Sequence, residues 1–121
     1  MLYVNEEIEV LKNDTFCKEK LHFKGLCIDK YKRIVVREEN EIQLTYTEFE
    51  ILLLLAQNAG IVFSKEQIYE AVFGYDGTAD DTAVTQHIKN IRAKLRTAGV
   101  AAPETVLKTI WGVGYQWKSE T

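Results

Sequence analysis

The chain has 121 residues, a formal net charge of −3 and an apolar fraction of 46%, which together suit one folded domain. This apolar content excludes a disordered tail, and no apolar run approaches the roughly 18 residues that a membrane-spanning helix needs. The acidic N-terminus lacks the basic start and apolar stretch of a secretory signal. Cys17 and Cys27 form neither a disulfide framework nor a metal-binding set, so we expect reduced thiols in a cytoplasmic protein.

Charge is distributed unevenly along the chain. Residues 82–118 hold six Lys or Arg side chains and one acid, a net charge of +5, whereas residues 1–81 carry a net charge of −7. A basic C-terminal part on an acidic body produces a directed electrostatic field that the overall balance conceals. A solvated basic helix would give the same count, so charge alone leaves the partner open.

The N-terminal third predicts β-structure. Residues 1–20 alternate weakly and indicate either a short hairpin or the remnant of a linker, an extension ahead of a domain at residues 21–121. Residues 21–44 contain three runs rich in Val, Ile, Leu, Phe and Tyr, with turn signals at Asp29-Lys30 and Glu39-Asn40. We expect a small antiparallel sheet with one face on the core.

The middle of the chain predicts two helices, each beginning at a capping box in which a Ser or Thr is followed three residues later by Glu or Gln. The boxes are Thr45 with Glu48 and Ser64 with Gln67. The inward-facing residues expected at helical spacing are Phe49, Leu52, Leu53 and Ala56 in the first helix, and Ile68, Ala71 and Val72 in the second. Glycines end both patterns, and a polar, acidic loop follows the second.

Residues 82–96 predict an amphipathic helix with two different faces. The inward stripe is Val84, Ile88, Ile91 and Leu95, and the opposite side carries Thr82, Gln86, Lys89, Asn90 and Ala93. Gln and Asn amides can pair with adenine edges and Lys can meet guanine or phosphate, so this outer face suits a groove of DNA. Because any surface helix has a polar face, simple solvation remains the alternative.

The C-terminal part predicts a loop at residues 100–106 and then a hairpin with strands at residues 106–111 and 114–117. Gly112 and Gly114 are better explained by turn geometry than by a phosphate-binding loop. A sheet, three helices and a hairpin in this order indicate an α+β winged helix-turn-helix. In that fold the third helix lies in the major groove, and the hairpin, or wing, can reach an adjacent minor groove or a phosphate.

Four segments, in order and spacing, resemble the OmpR/PhoB-type winged-helix DNA-binding domain of response regulators. They are LTYTEFEILLLLAQNAG, IVFSKEQIYEAVFG, AVTQHIKNIRAKL and TIWGVGY, similar to the first helix with its lead-in, the second helix, the recognition helix and the wing. The resemblance implies a sequence-specific transcriptional regulator. It also implies double-stranded promoter DNA as partner, head-to-tail pairs on direct repeats, and contact with RNA polymerase.

The resemblance implies roles for individual residues. Base-approaching positions match Gln86 and Asn90, and backbone-contacting positions match His87, Lys89 and Arg92. Thr109 matches a phosphate contact of the wing, and Thr82 stands at the helix start where the family often has Arg. The loop that can touch polymerase matches residues 75–81, with Tyr75, Asp76, Asp80 and Asp81. Trp111 replaces the usual wing arginine and could stack on a sugar, enter the minor groove or cover the core. Arg92 could pair with a carboxylate instead of phosphate, and Lys94 and Arg96 are expected to be solvated.

Two function classes remain open at this point. The first is a DNA-binding regulator, either the output domain of a response regulator or a stand-alone relative. The second is a winged-helix protein-interaction module, motivated by the acidic balance and the replaced wing arginine. No nucleophile–base pair or Gly-rich phosphate loop supports an enzyme, and no metal or cofactor is expected. A phosphoacceptor receiver needs about a domain of its own, which residues 1–20 cannot supply, so a longer regulator, a free-standing one and a different sensory domain all remain possible.

Overall fold

The computed structural model describes residues 20–23, 25–74 and 82–118. These residues form two antiparallel sheets and four helices around one apolar core. The first sheet has four strands and the second has three. No described helix has both the length and the apolar character required to cross a bilayer.

The N-terminal sheet is a four-stranded meander, β1 (Lys20–Phe23), β2 (Leu26–Asp29), β3 (Ile34–Arg37) and β4 (Asn40–Ile42). Its core-facing side chains are Leu26, Ile28, Val35 and Ile42, which confirms the prediction of one buried face. Three runs were expected, but the first divides into β1 and β2 because Gly25 turns the chain with a φ of +86°.

The two predicted turns of this sheet have distinct origins. The buried Asp29 carboxylate accepts hydrogen bonds from the backbone N–H groups of Tyr31 and Lys32, both at 3.0 Å, so its side chain fixes the first turn. The second turn lies one residue earlier than expected, at Glu38 and Glu39, which have φ values of +48° and +75°. Positive φ at both central residues matches the hairpin turn that suits the strand twist.

Both capping boxes are present at the starts of α1 (Tyr46–Gln57) and α2 (Lys65–Phe73). Thr45 Oγ1 accepts from the Glu48 N–H at 3.1 Å, and Glu48 Oε1 accepts from the Thr45 N–H at 3.0 Å. Phe49, Leu52 and Ala56 of the first helix and Ile68 of the second are buried as predicted. The inward assignment of Ala71 is wrong: this small side chain is exposed and contributes little apolar area to the contact between the helices.

Two short elements were missed in segments predicted to be irregular. β5 (Val62–Phe63) pairs antiparallel with β7 (Gly114–Trp117), and α4 (Pro103–Val106) occupies most of the expected loop. A two-residue strand has no periodicity of its own, so only its partner defines it. Pro103 stands at the first turn of α4, where its missing N–H is tolerated.

The amphipathic helix and the hairpin are confirmed. α3 (Thr82–Thr97) buries its four-residue stripe of Val84, Ile88, Ile91 and Leu95. β6 (Leu107–Ile110) begins one residue later than predicted and pairs with β7 to form the wing. α3 therefore has one side fixed in the core and the other free to meet a partner.

Candidate nucleic-acid interface

The outer face of α3 is accessible. Gln86 and Lys89 are exposed, and Asn90 is partly exposed. Completely buried aliphatic side chains on the opposite face anchor the helix in the core. Packing of the stripe fixes the rotation of α3, so the same three polar side chains always point outward. Thr82, at the start of the helix, is also exposed.

Gln86 and Asn90 form a hydrogen-bonded pair one helical turn apart. Gln86 Nε2 donates to Asn90 Oδ1 at 3.0 Å, a contact that the i,i+4 spacing allows. This bond leaves the Gln86 carbonyl oxygen and the Asn90 amino group available to an outside partner. It also restricts both side chains before binding, which lowers the entropy that a complex would have to remove.

Lys89 and His87 differ in their freedom to contact a ligand. Within the described residues Lys89 has no hydrogen-bond or ion-pair partner, so its ammonium group is available. The His87 ring is partly buried, with its centroid 6.3 Å from that of Phe73. Its Nδ1 is enclosed without a hydrogen-bond partner in the described part of the chain. Only the opposite ring nitrogen could reach a phosphate.

Arg92 points toward the wing. Its Nε and Nη2 donate to the Leu107 carbonyl oxygen at 3.0 and 2.6 Å, and Nη2 also donates to Thr109 Oγ1 at 2.8 Å. Its guanidinium carbon lies 5.8 Å from the centre of the Tyr115 ring. Burial lowers the pKa of Arg92 from its ordinary value. The carboxylate partner considered from the sequence is not seen among the described residues.

The wing carries one exposed and one buried tryptophan. Trp111 is 90% exposed at the hairpin turn, beside the half-exposed Val113, whereas Trp117 is 2% exposed and belongs to the core. This exposure excludes the alternative in which Trp111 covers the core. Gly112 provides the turn with a φ of +79°, as turn geometry required.

A cleft of about 620 Å³ separates α3 from the wing. Its lining includes Lys65, Thr85, Lys89, Thr109 and Trp111. A protein that placed α3 in one groove and its wing in the next would have to straddle one sugar-phosphate backbone, and this cleft is the space between the two arms. Its lysines and hydroxyls suit phosphate oxygens.

Lys65 was missed by the sequence reasoning, although a signal was present. It stands in the first turn of α2, where the partial positive charge of the helix end disfavours a cation. A lysine at such a position gains nothing from the helix dipole. The presence of a lysine here is therefore not explained by helix stability, but it is explained by its position in the cleft.

Two other cations of α3 have partners within the protein. This corrects the expectation of solvation for Lys94, whose partner is buried, whereas Arg96 stays more than half exposed, as expected. Lys94 Nζ donates to Glu48 Oε1 at 2.6 Å, and Arg96 pairs with Glu104. Glu48 is buried, and burial alone would raise the pKa of its carboxyl group. The hydrogen bonds from Lys94 and the Thr45 backbone, with the nearby charges of Lys94 and His87, instead hold that pKa below its ordinary value of 4.5.

We expect Lys94→Met to lower the free energy of unfolding by about 1–2 kcal/mol at pH 7, since it leaves a buried carboxylate without its cation. The depressed pKa of Glu48 means that this stabilisation is fully present above the unfolded value near 4.5 and is lost as pH falls through the folded value. Urea denaturation from pH 3 to 7 measures it. Lys89→Met, on the same helix, should leave stability unchanged; equal losses in both variants would contradict the pairing.

Several candidate residues cannot be placed. The predicted polymerase-contact residues Tyr75, Asp76, Asp80 and Asp81 lie outside the described residues, as do most of residues 1–20. The domain boundary therefore stays a prediction. No group of three or more His, Cys, Asp or Glu side chains suited to a metal ion occurs within the described ranges.

Comparison with known proteins identifies the family. A family model described as "Transcriptional regulatory protein, C terminal" matches residues 39–117. The chain belongs to this family. The match confirms the resemblance seen in the four segments, and the family is one of transcriptional regulators rather than a class of enzymes.

Relatives and solved structures agree with this assignment. The regulatory protein VanRB of Enterococcus faecalis is 48% identical over 82 residues, which are 68% of the chain and 34% of the relative. The chain thus spans about a third of that relative's length. The DNA-binding domain of Escherichia coli CpxR superposes with a TM-score of 0.70 at 33% identity, covering 84% of the chain and 98% of the domain.

A further solved relative was determined with DNA. The Klebsiella pneumoniae RstA DNA-binding domain, in complex with the RstA box, has a TM-score of 0.69 and 26% identity. The alignment covers 83% of this chain and 97% of that domain. The α+β winged-helix architecture is therefore confirmed at the level of the whole domain.

Proposed function

We propose that the chain is a sequence-specific double-stranded DNA-binding domain that regulates transcription, as the output domain of a response regulator or a stand-alone relative. The observation that carries the proposal is the exposed Gln86–Asn90 pair on a helix whose opposite face is entirely buried. The family membership and the DNA complex of the RstA relative support the same function.

Base recognition is assigned to the two amides. Asn and Gln can each hydrogen-bond the N6 and N7 edge of adenine in the major groove. Asn90 Oδ1 retains a lone pair after accepting from Gln86, so it can still accept from an adenine amino group. We therefore expect adenine within the half-site opposite this turn of α3.

Backbone contacts are assigned to residues around the amides and along the cleft, namely Thr82, His87, Lys89, Thr109 and Lys65. Because Arg92, Lys94 and Arg96 are held by the protein itself, few free cations face the DNA. Each phosphate neutralised contributes about 0.9 to the slope of log affinity against log salt. A shallow slope is expected for a single domain.

Trp111 is assigned to the minor groove. The indole is 90% exposed and lies beside the exposed Val113. Burial of both side chains against a partner would remove apolar surface from water and so favour binding. Apolar side chains of minor-groove binders contact sugars or wedge between base steps. The indole would replace a salt-sensitive cation by an apolar contact that salt does not screen.

The proposed assembly on DNA is the one that the family resemblance implies. Head-to-tail pairs on direct repeats, with residues 75–81 touching RNA polymerase, would place the protein at promoters in the cytoplasm. Support for these partners comes from the resemblance alone, since that loop lies outside the described residues. Repeat spacing in bound genomic fragments would reveal the pairing.

The test combines selection of bound genomic fragments with anisotropy titrations at several salt concentrations. Asn90→Ala and Gln86→Ala should each reduce the preference for the selected site by about 5- to 150-fold, because a good amide–base pair contributes about 1–3 kcal/mol of discrimination. Affinity for unrelated DNA should change little. Gln57→Ala, which removes an exposed amide from the end of α1, is the matched control.

The alternative is a protein-interaction module, and the internal engagement of three of the four Lys or Arg side chains of α3 favours it. Wild-type protein without DNA affinity at low salt, together with stable binding of a protein partner to the face around Gln86, would establish it. Unchanged site preference in both amide variants would instead show that the base-reading residues are misassigned.

A further inference from the structure

Arg92 joins the two arms of the proposed interface. It lies on α3, and its guanidinium group reaches Leu107 and Thr109, which are 15 and 17 residues away on β6. Two of its nitrogen atoms share one backbone carbonyl oxygen, and one of these also donates to the Thr109 hydroxyl. Few groups other than a planar, forked cation can make this set of contacts.

Tyr115 provides a second connection between α3 and the wing. The Arg92 guanidinium lies over the ring of Tyr115 on β7, and the Tyr115 hydroxyl lies 3.5 Å from Thr85 Oγ1 in the first turn of α3. Helix and wing are thus linked both at Arg92 and near the helix start. The hydrogen bonds of Arg92, at 2.6 to 3.0 Å, are shorter than the 3.5 Å contact between Tyr115 and Thr85.

The same geometry leaves little of Arg92 for DNA. Three of its five N–H donors belong to nitrogen atoms already bonded to the wing. Thr109, by contrast, is exposed and accepts its hydrogen bond from Arg92, so its hydroxyl hydrogen remains free to donate to a phosphate oxygen.

We infer that Arg92 is a positioning residue: it sets the spacing between α3 and the wing and orients the Thr109 hydroxyl, rather than binding a phosphate itself. The part of this inference that concerns DNA rests on the proposed function. The part that concerns the wing does not, because the contacts exist in the free protein. Loss of the fork should therefore loosen the wing before any DNA is present.

The decisive comparison is Arg92→Lys against Arg92→Gln. Lysine is an effective phosphate ligand but lacks the fork, so a phosphate contact would survive Arg92→Lys whereas the link to the wing would not. We expect both variants to weaken DNA binding by about tenfold, comparable to the loss of one charge-assisted hydrogen bond. Arg96→Lys, on the same helix but paired with Glu104 and outside the proposed interface, is the matched control and should retain affinity within about twofold.

Two further readouts separate positioning from general destabilisation. In free Arg92→Lys protein, ¹⁵N relaxation should show lower order parameters for residues 107–114, with those of α1 unchanged. A double-mutant cycle should show that Trp111→Ala has less than half of its wild-type effect on DNA affinity when Arg92 is already lysine. Thr109→Val removes the hydroxyl that accepts from Arg92 but leaves the Leu107 carbonyl oxygen in place. It should lower the order parameters of residues 107–114 by less than Arg92→Lys does.

Each outcome decides between the roles. Wild-type affinity and wild-type wing order in Arg92→Lys would overturn the inference and indicate a phosphate contact. Absence of DNA binding by the wild type would contradict the proposed function, while the relaxation data on the free protein would still decide the role of Arg92 in holding the wing.

Discussion

Trp117→Ala is expected to lower the free energy of unfolding by about 3–5 kcal/mol, the usual range for removing a buried aromatic side chain. Trp117 is 2% exposed and is among the largest fully buried side chains of the core. It lies on β7, which pairs with both β5 and β6, so the cavity would open where the wing joins the helices. Urea denaturation followed by circular dichroism measures the loss.

Trp111→Ala provides the contrast within the same hairpin. Its indole is 90% exposed, so stability should stay within about 0.5 kcal/mol of wild type. Under the proposed function this variant should lose DNA affinity with an unchanged fold. Equal destabilisation by the two substitutions would show that Trp111 also packs against the protein in solution.

Gly114→Ala is expected to destabilise the fold by about 3 kcal/mol, because the backbone leaves no room for a methyl group. A Cβ atom at this position would lie 2.0 Å from the Phe63 carbonyl oxygen and 2.8 Å from the Ser64 Cα. Neither atom can move without separating β5 from β7 or shifting the start of α2. Thermal unfolding would detect the change, and proton spectra would show altered shifts in both elements.

Gly112→Ala is the matched control for the same hairpin. Apart from the two adjacent residues, no atom of the described part of the chain lies within 4 Å of a Cβ there, but the φ of +79° strains an L-residue by about 1–2 kcal/mol. The two variants therefore separate steric exclusion from backbone strain. A larger loss for Gly112→Ala than for Gly114→Ala would contradict the close approach of the two strands.

Local signals in the sequence predicted most of the fold. A capping box needs only four neighbouring residues, and Thr45 with Glu48 and Ser64 with Gln67 begin helices at the expected positions. The buried stripe of α3 needs only helical spacing. β5 escaped prediction because two residues carry no pattern, and its pairing with β7 joins positions more than fifty residues apart.

For the candidate site, the sequence predicted which residues share one face of α3, but not the contacts that other residues of this helix make with distant parts of the chain. Spacing along α3 placed Gln86 and Asn90 on one face, and their hydrogen bond follows from that spacing. The partners of Arg92 and Lys94 lie 15 and 46 residues away, and helical periodicity says nothing about such distances. Sequence could not decide whether Trp111 faces inward, since an aromatic residue in a hairpin suits either environment.

Glu48 takes part in both the N-terminal cap of α1 and an ion pair with α3, and this limits how the domain can be re-engineered. The same carboxylate closes the cap of α1 and receives Lys94 from the helix proposed to read bases. A DNA-reading segment transplanted from another regulator would need a cation at position 94, whatever bases it recognises. Without one, the graft would leave the buried Glu48 carboxylate without a cation. The altered DNA specificity would then be accompanied by a less stable domain.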